Sequence, residues 1–252
     1  MNVTIEVPGD GAWFEGHFPG RPILPGIAEL VLVARALAPL FDGADVSTIP
    51  FARFRGLVLP TDVLEVVVEP RREGGVRFEA RRRAELVANG AMTFGVPSPD
   101  DGRASAVASR APRGAPPVRE LIPHRAPMLF VERIVGVAED GATCLGRVPS
   151  ACALVADWSI PAFVALEAAA QTAAVWEAFR RSRALGGDEA RIGYLVSLKD
   201  VILYRRTIPA DADLIASVRL VAAAAPLASY AVDVDVEGAP ALRGTIGTYL
   251  SG

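Results

Sequence analysis

The chain has 252 residues, of which 51% are hydrophobic and 22% charged, and its formal net charge at pH 7 is -3. This length allows one large domain or two small ones, and the composition is that of a globular protein, not of a basic nucleic-acid-binding protein. The start of the chain has neither the basic residues nor the apolar core of a signal peptide, and no uninterrupted apolar run is long enough to span a membrane. We therefore expect a cytoplasmic protein with no membrane span and no nucleic-acid partner.

The first half of the sequence predicts one helix followed by strands. Pro22 and Pro25 restrict the backbone ahead of an apolar run, and proline suits the first position of a helix, so we expect a helix over Ile27–Leu40. Alternation of apolar and polar residues then predicts strands. These lie at Ser47–Val58, Asp62–Glu69, Val76–Val87 and Ala91–Val96.

A stretch rich in proline, alanine, serine and glycine separates the two halves. It lacks apolar periodicity, so we expect an exposed linker over residues 98–117, between a first domain of residues 1–97 and a second of residues 118–252. After its own opening strands, the second half repeats the order of elements, with a long helix from Pro161 to about Ala184. Strands follow at Tyr194–Leu203, Ala212–Val221, Ala228–Val236 and Ala241–Leu250.

The turn chemistry also repeats. Pro60–Asp62 and Pro209–Asp211 are both Pro-x-Asp segments that predict a turn between two strands. One helix followed by an antiparallel meander, present twice, predicts an α+β fold in which two sheets each wrap around a central helix and join side by side as a pseudo-dimer.

The most informative segment of the first half is GHFPGRPILPG, residues 16–26. It places His17 beside a turn rich in proline and glycine that leads into the predicted helix. Gly26 has no Cβ, which lets a ligand approach the backbone, and its N–H belongs to the unpaired first turn of the helix. Such a donor suits a carbonyl oxygen that gains negative charge, and a histidine moves protons near neutral pH. The segment therefore predicts an acid–base site.

This segment resembles the active-site signature of the hot-dog-fold 3-hydroxyacyl-[acyl carrier protein] dehydratases. In the second half, LIPHRAPMLFVER (residues 121–133) is similar to the PHR segment of the same family, and FVALEAAAQ (residues 163–171) to its helix with an acid and a glutamine. Together these resemblances cover nearly the whole chain and imply a double hot dog. The short first half resembles the dehydratases of aryl-polyene synthesis more than the housekeeping enzyme of fatty-acid synthesis.

The family pairs the histidine of one protomer with the helix acid of the other, and here each half lacks one partner. The first half has Val31 where the acid would stand, and Glu29 is turned about 200° away from that position on the helix. The second half has Glu167 but Ala153 in place of the histidine, and Ala162 where the first half has Gly26. The resemblance thus implies one composite site per chain.

The resemblance also assigns roles. His17 would remove the C2 proton of a 3-hydroxyacyl thioester, the Gly26 N–H would stabilise the enolate oxygen, and Glu167 would protonate the departing hydroxyl. A carboxylate on an apolar helix is costly, so burial would raise the pKa of Glu167, as suits a general acid. Four further residues are expected to contact the substrate: Gln171, Pro25, Phe18 and Phe163.

The second histidine, His124, lies in a segment that the family uses for packing, and we expect a structural role for it, with Arg125 bonding nearby carbonyls. The implied reaction needs no metal and no redox cofactor. The implied partners are an acyl carrier protein, which delivers the substrate, and proteins of a synthase complex; a homodimer is compatible with the pseudo-dimer. Four arginine clusters are either solvated or a docking patch for the acidic carrier protein: Arg71-Arg72, Arg81–Arg83, Arg180-Arg181 and Arg205-Arg206.

Two other functions stay open at the level of sequence. One is a catalytically silent, dehydratase-like subunit that scaffolds a fatty-acid or polyene synthase complex. The other is a hot-dog acyl thioesterase, a class that uses an acid and water without the histidine–proline–glycine signature. Because the losses in the two halves are complementary, the sequence favours an active dehydratase over simple decay.

Overall fold

A computed structural model describes residues 1–71, 74–99, 114–185 and 192–251, with the side chains of residues 183–185 excepted. Within these ranges, no helix is long and apolar enough to cross a membrane. The predicted linker, residues 98–117, lies mostly outside the described residues.

The first half contains one long helix and a meander of strands, as predicted. Its elements are β1 (Asn2–Glu6), α1 (Gly26–Leu37), β2 (Val46–Phe54), β3 (Val63–Pro70), β4 (Gly75–Arg82) and β5 (Glu85–Phe94). Along β3, Leu64, Val66 and Val68 are buried while their neighbours are exposed, which is the period of two that a half-buried strand requires.

Several boundaries in the first half differ from the sequence prediction: α1 ends at Leu37 and not at Leu40, and the strand expected over Ala91–Val96 is the second part of β5. The helix begins at Gly26 because Pro25 is its N-cap, and the Pro25 carbonyl accepts hydrogen bonds from the N–H groups of Ala28 and Glu29. The single strand expected over Val76–Val87 is two strands, because Arg83 takes a positive φ of 57° and turns the chain.

The second half repeats this pattern with a longer helix. Its elements are α2 (Val118–Leu121), β6 (Val131–Val137), β7 (Gly141–Gly146), β8 (Ser159–Pro161), α3 (Leu166–Leu185), β9 (Gly193–Leu203), β10 (Thr207–Pro209), β11 (Leu214–Ala224), β12 (Leu227–Val236) and β13 (Ala239–Leu250). A 3₁₀ turn, Ala162–Ala165, leads into α3. Both predicted Pro-x-Asp turns lie between strands.

The strands of the two halves form one antiparallel sheet. Eleven strands are ordered β1-β3-β4-β5-β2-β9-β13-β12-β11-β7-β6, and β8 pairs separately with β10. The halves join where β2 pairs with β9, from Thr48 opposite Ile202 to Arg53 opposite Ser197. Helix α3 packs on β7, β11 and β12, and α1 contacts the 3₁₀ turn that precedes α3. This arrangement confirms the predicted double hot dog and places the start of both helices near the junction of the halves.

Candidate active site

The two segments that resemble the family signatures are hydrogen-bonded to each other. The Arg125 N–H donates to the Gly16 carbonyl over 2.9 Å. Gly16 has a φ of 80°, and a Cβ at this position would lie 2.0 Å from the Arg125 carbonyl oxygen, so only glycine fits. This contact brings the rings of His17 and His124 to a centroid distance of 5.5 Å.

His17 is held as a neutral imidazole. Its Nδ1 lies 3.0 Å from the carbonyl oxygen of Ile23, and since a carbonyl only accepts, Nδ1 carries the proton and Nε2 keeps its lone pair. Burial lowers the pKa of His17 to about 4, with a further lowering from His124, although the charge of Glu167 opposes the shift. The imidazole is therefore unprotonated at neutral pH, which is the state that a base requires.

The Phe18 ring packs against the imidazole rings of both His17 and His124. Its backbone has a positive φ of 65°, and its ring centroid lies 4.2 Å from that of His17 and 5.1 Å from that of His124. The sequence predicted contact with substrate for Phe18, and this stays a prediction; in the structure the side chain is buried and packs against both histidines.

Glu167 lies at the start of α3 and is 4% exposed. Its Oε1 is 3.0 Å from Gln171 Nε2 and 3.4 Å from His124 Nε2. Burial by itself raises the pKa of this carboxyl, but the hydrogen bond and charge of His124, with contributions from His17 and Gln171, outweigh burial and lower the pKa below its ordinary value. The expected rise in the pKa of Glu167 is therefore wrong, because its two histidine neighbours were not foreseen.

His124 belongs to the site, although the sequence assigned it to packing. It is 5% exposed, its Nε2 contacts the catalytic candidate Glu167, and its Nδ1 is buried without a hydrogen-bond partner in the described part of the chain. Arg125, next in sequence, donates to the carbonyls of Ile122 and His124, as expected. The signal that could have found His124 is the PHR resemblance, read together with a pairing between the two signature segments.

Gln171 lines the same cavity as Glu167 and donates a hydrogen bond to it, and its predicted contact with substrate stays a prediction. Its Oε1 accepts hydrogen bonds from the N–H groups of Phe130 and Val131, at 2.9 and 3.3 Å. Its Nε2 donates to the Met128 carbonyl at 2.7 Å as well as to Glu167. The side chain thus ties α3 to the segment that follows His124.

A cavity of about 450 Å³ connects these groups. It is lined by His17, Gly26, His124 and Glu167, and continues along α3 past alanines to Glu177. Ten residues of helix span about 15 Å, so the space is elongated. Pro25 and Phe163 were expected to contact substrate, but they are not among the lining residues: Pro25 caps α1, and Phe163 is 1% exposed in the core.

The starts of the two helices differ in whether their first backbone N–H group already has a hydrogen-bond acceptor. The Ala162 N–H in the second half donates to the Arg206 carbonyl over 3.0 Å, so it is occupied. The Gly26 N–H lies in the first turn of α1, where no intrahelical acceptor exists. Val31, at the position of the missing acid, is fully buried core. The Gly26 N–H is thus without an intrahelical partner at a position on the cavity that His17 also lines, whereas the Ala162 N–H is already bonded.

Three side-chain atoms of kinds that can coordinate a metal ion lie close together in this cavity. His17, His124 and Glu167 each offer one nitrogen or oxygen, and all three atoms lie within 4.8 Å of one another. Two imidazoles and a carboxylate at this spacing can share a proton, and they can also hold a cation. The prediction that the reaction needs no metal stays a prediction.

Comparison with known proteins identifies the family. The family model described as ApeP-like, ApeP dehydratase, matches residues 116–251, which is more than half of the chain. The chain belongs to this family. A second model, described as ApeI-like, ApeI dehydratase, matches residues 1–91 of the same chain. The predicted dehydratase is thereby confirmed, while the domain boundaries at residues 97 and 118 stay a prediction.

Individual relatives of this ApeP-like dehydratase are also named as dehydratases. The 3-hydroxyacyl-[acyl-carrier-protein] dehydratase FabZ of Lactobacillus helveticus is 36% identical over 110 residues, which cover 39% of this chain and 72% of that protein. The dehydratase domain of RzxB from Pseudomonas fluorescens superposes with a TM-score of 0.70 at 14% identity, covering 98% of this chain and 93% of that chain. The dehydratase heterocomplex ApeI:P from Xenorhabdus doucetiae gives a TM-score of 0.50 at 23% identity, covering 54% and 92%. The two solved structures share the fold.

Proposed function

We propose that the protein removes water from 3-hydroxyacyl thioesters, carried on an acyl carrier protein, to give trans-2-enoyl thioesters, with one composite active site per chain. The observation that carries this proposal is the meeting of His17 from the first half with Glu167 from the second, within 4.8 Å and beside the start of α1. The name of the FabZ relative supports the substrate class. We place the reaction in fatty-acid or polyene synthesis.

In the proposed reaction, the thioester oxygen accepts a hydrogen bond from the Gly26 N–H. His17 Nε2 takes the C2 proton, and the electron pair of the C2–H bond forms the C2=C3 double bond as the C3–O bond breaks. The negative charge that develops on the thioester oxygen is stabilised at the helix start. The hydroxyl leaves as water after it gains a proton.

The proton for the leaving hydroxyl is held by the Glu167–His124 pair and not by the carboxyl alone. His124 lowers the pKa of Glu167, so the isolated carboxyl is a poor proton store at neutral pH. His124 Nε2 lies 3.4 Å from Glu167 Oε1, and Gln171 fixes the same oxygen from a second side. A proton shared along this contact reaches the hydroxyl through Glu167, and His17 later returns the C2 proton to solvent or to the pair.

The carrier protein is proposed to dock beside Arg180. Of the four arginine clusters, Arg180-Arg181 contains a residue that lines the cavity, and Arg180 is exposed. By contrast, Arg81 pairs with Glu79 at 2.9 Å and Arg82 with Glu85 at 2.6 Å.

We expect Arg180→Glu to raise KM for the carrier-bound substrate and to leave KM unchanged for a short pantetheine thioester, with Arg81→Glu as control. An equal rise for both substrates would remove Arg180 from the docking surface.

The proposal is tested by mixing 3-hydroxyacyl carrier protein with the purified protein and measuring the loss of one water by intact mass. We expect turnover by the wild type and rates lower by roughly 10²–10⁴-fold for His17→Ala and for Glu167→Gln. Glu177→Gln, which changes a carboxyl of the same cavity away from the reacting centre, serves as control. Release of a free acid would instead show a thioesterase, and no turnover in the presence of partner proteins would show a silent scaffold subunit.

A further inference from the structure

Glu29 is a buried carboxyl that the mechanism above leaves without a function. It lies in the first turn of α1, is 3% exposed, and its Oε2 has no hydrogen-bond partner in the described part of the chain. Burial raises the pKa of Glu29 well above its ordinary value. Burial therefore favours the neutral carboxylic acid form, which has an O–H to donate, and Oε2 has no partner among the residues that the structure describes.

Glu29 lines the same cavity as His17, Gly26 and Glu167. Residues three apart in a helix share a face and are separated by a rise of about 4.5 Å. Helical side chains also tilt towards the N-terminus, so the carboxyl of Glu29 extends back over the turn that Gly26 begins. Gly26 has no side chain of its own, and the ring of Phe54 lies 3.2 Å from the position that its Cβ would take.

The charged groups around this cavity do not satisfy Glu29. His17 directs its Nδ1 to the Ile23 carbonyl, and His124 contacts Glu167. Arg55, at the exposed edge of the cavity, donates to Asn89. Glu29 Oε2 is thus free to form a hydrogen bond with a molecule that occupies the cavity.

We propose that the Glu29 carboxyl donates a second hydrogen bond to the thioester oxygen that binds at the Gly26 N–H, and so is a catalytic residue of the same elimination. A carboxylic acid kept neutral in an apolar site is a strong donor to an oxygen that becomes negative in the transition state. Its proton stays on Glu29 throughout, since the C2 proton goes to His17 and the hydroxyl is protonated by the Glu167–His124 pair. This inference rests on the proposed function.

The kinetic test compares variants that keep or remove the donor. Glu29→Gln keeps an N–H donor of similar shape, whereas Glu29→Leu and Glu29→Met remove it, and Leu30→Met changes a buried neighbour on α1 as control. We expect kcat to fall roughly 10²–10³-fold for Leu and Met with KM nearly unchanged, and Gln to retain most of the activity. Because the buried carboxyl is unpaired, the apolar variants should fold and melt at a higher temperature than the wild type.

A second measurement needs no turnover. A saturated acyl thioester with an isotope-labelled carbonyl, which has no hydroxyl to lose, is bound to each protein and its carbonyl stretch is recorded by infrared spectroscopy. The band should shift to lower frequency in the wild type and in E29Q, and less in E29L. Equal bands in wild type and E29L, or a variant effect on KM alone, would overturn the proposal by placing Glu29 against another part of the substrate. Absence of water loss in the wild type would instead contradict the proposed function, and the infrared result would still decide the role of Glu29.

Discussion

The Arg125 N–H donates a 2.9 Å hydrogen bond to the Gly16 carbonyl, and this bond joins the signature segment of the first half to that of the second. Gly16 directly precedes His17, and Arg125 directly follows His124. The two histidines therefore meet because two backbone segments pair, and Glu167 reaches both of them from α3.

Replacement of Gly16 by alanine should disrupt this pairing. A Cβ at Gly16 would lie 2.0 Å from the Arg125 carbonyl oxygen, so the backbone must move, and the positive φ adds strain. We expect a loss of more than about 2 kcal/mol of unfolding free energy together with most of the activity. Gly20→Ala is the matched control, since Gly20 also has a positive φ, of 78°, but open space around it. Equal losses in the two variants, measured by urea unfolding, would show that backbone strain alone matters.

The pH dependence should report the burial of His17. Because burial lowers the pKa of His17 to about 4, its base form persists well below neutral pH, and kcat/KM should fall on the acid side near pH 4. The unfolded histidine binds a proton near pH 6.5 and the folded one near pH 4, so the protein loses stability as the pH falls through this window, by roughly 3 kcal/mol.

The variant His17→Gln, which does not titrate, should show a smaller loss of unfolding free energy between these two pH values. Urea unfolding at a series of pH values measures it. An acid limb of kcat/KM near pH 6.5 would show that His17 is solvated, contrary to the structure.

His124 should be needed for the acid step. Its removal takes away the hydrogen bond and charge that lower the pKa of Glu167, so burial then dominates and this pKa rises. The higher pKa favours a proton on Glu167, but the variant lacks the partner that shares this proton and one of the two contacts that hold Oε1. We therefore expect His124→Ala to slow water loss by up to about 100-fold and His124→Gln to restore part of the rate. Unchanged kcat with a lower melting temperature would return His124 to the structural role that the sequence indicated.

A metal ion bound in the active site should inhibit the dehydration and should not activate it. The atoms of His17, His124 and Glu167 lie within 4.8 Å of one another, which is close enough for Zn²⁺ to bind them together. Since the mechanism uses the same atoms for proton transfer, we expect full activity in the presence of EDTA and inhibition by added Zn²⁺ that EDTA reverses. Loss of activity in EDTA, restored by Zn²⁺, would contradict the proton-transfer mechanism.

The sequence alone predicted the fold, and it predicted those site residues that can be recognised within one continuous segment. His17 and Gly26 lie within one short segment, and Glu167 lies on an apolar helix where it stands out. His124 was assigned to packing because its position in the site depends on the pairing of Gly16 with Arg125, which are far apart in sequence. The same limit applies to Glu29. Helical spacing relates it to Val31, but only the packed structure shows which face of α1 meets the cavity.

The central claim is that one chain builds one site from its two halves, and mixed variants test it most directly. A His17→Ala chain lacks the base and a Glu167→Gln chain lacks the carboxyl. In a mixture of the two variants, no single chain therefore has both His17 and Glu167. We predict that the two variants, co-expressed and purified together, form enoyl carrier protein no faster than either variant alone, while the wild type removes water at its full rate in the same mass-based assay. Recovery of activity in the mixture would show that His17 of one chain works with Glu167 of another, and would contradict the account.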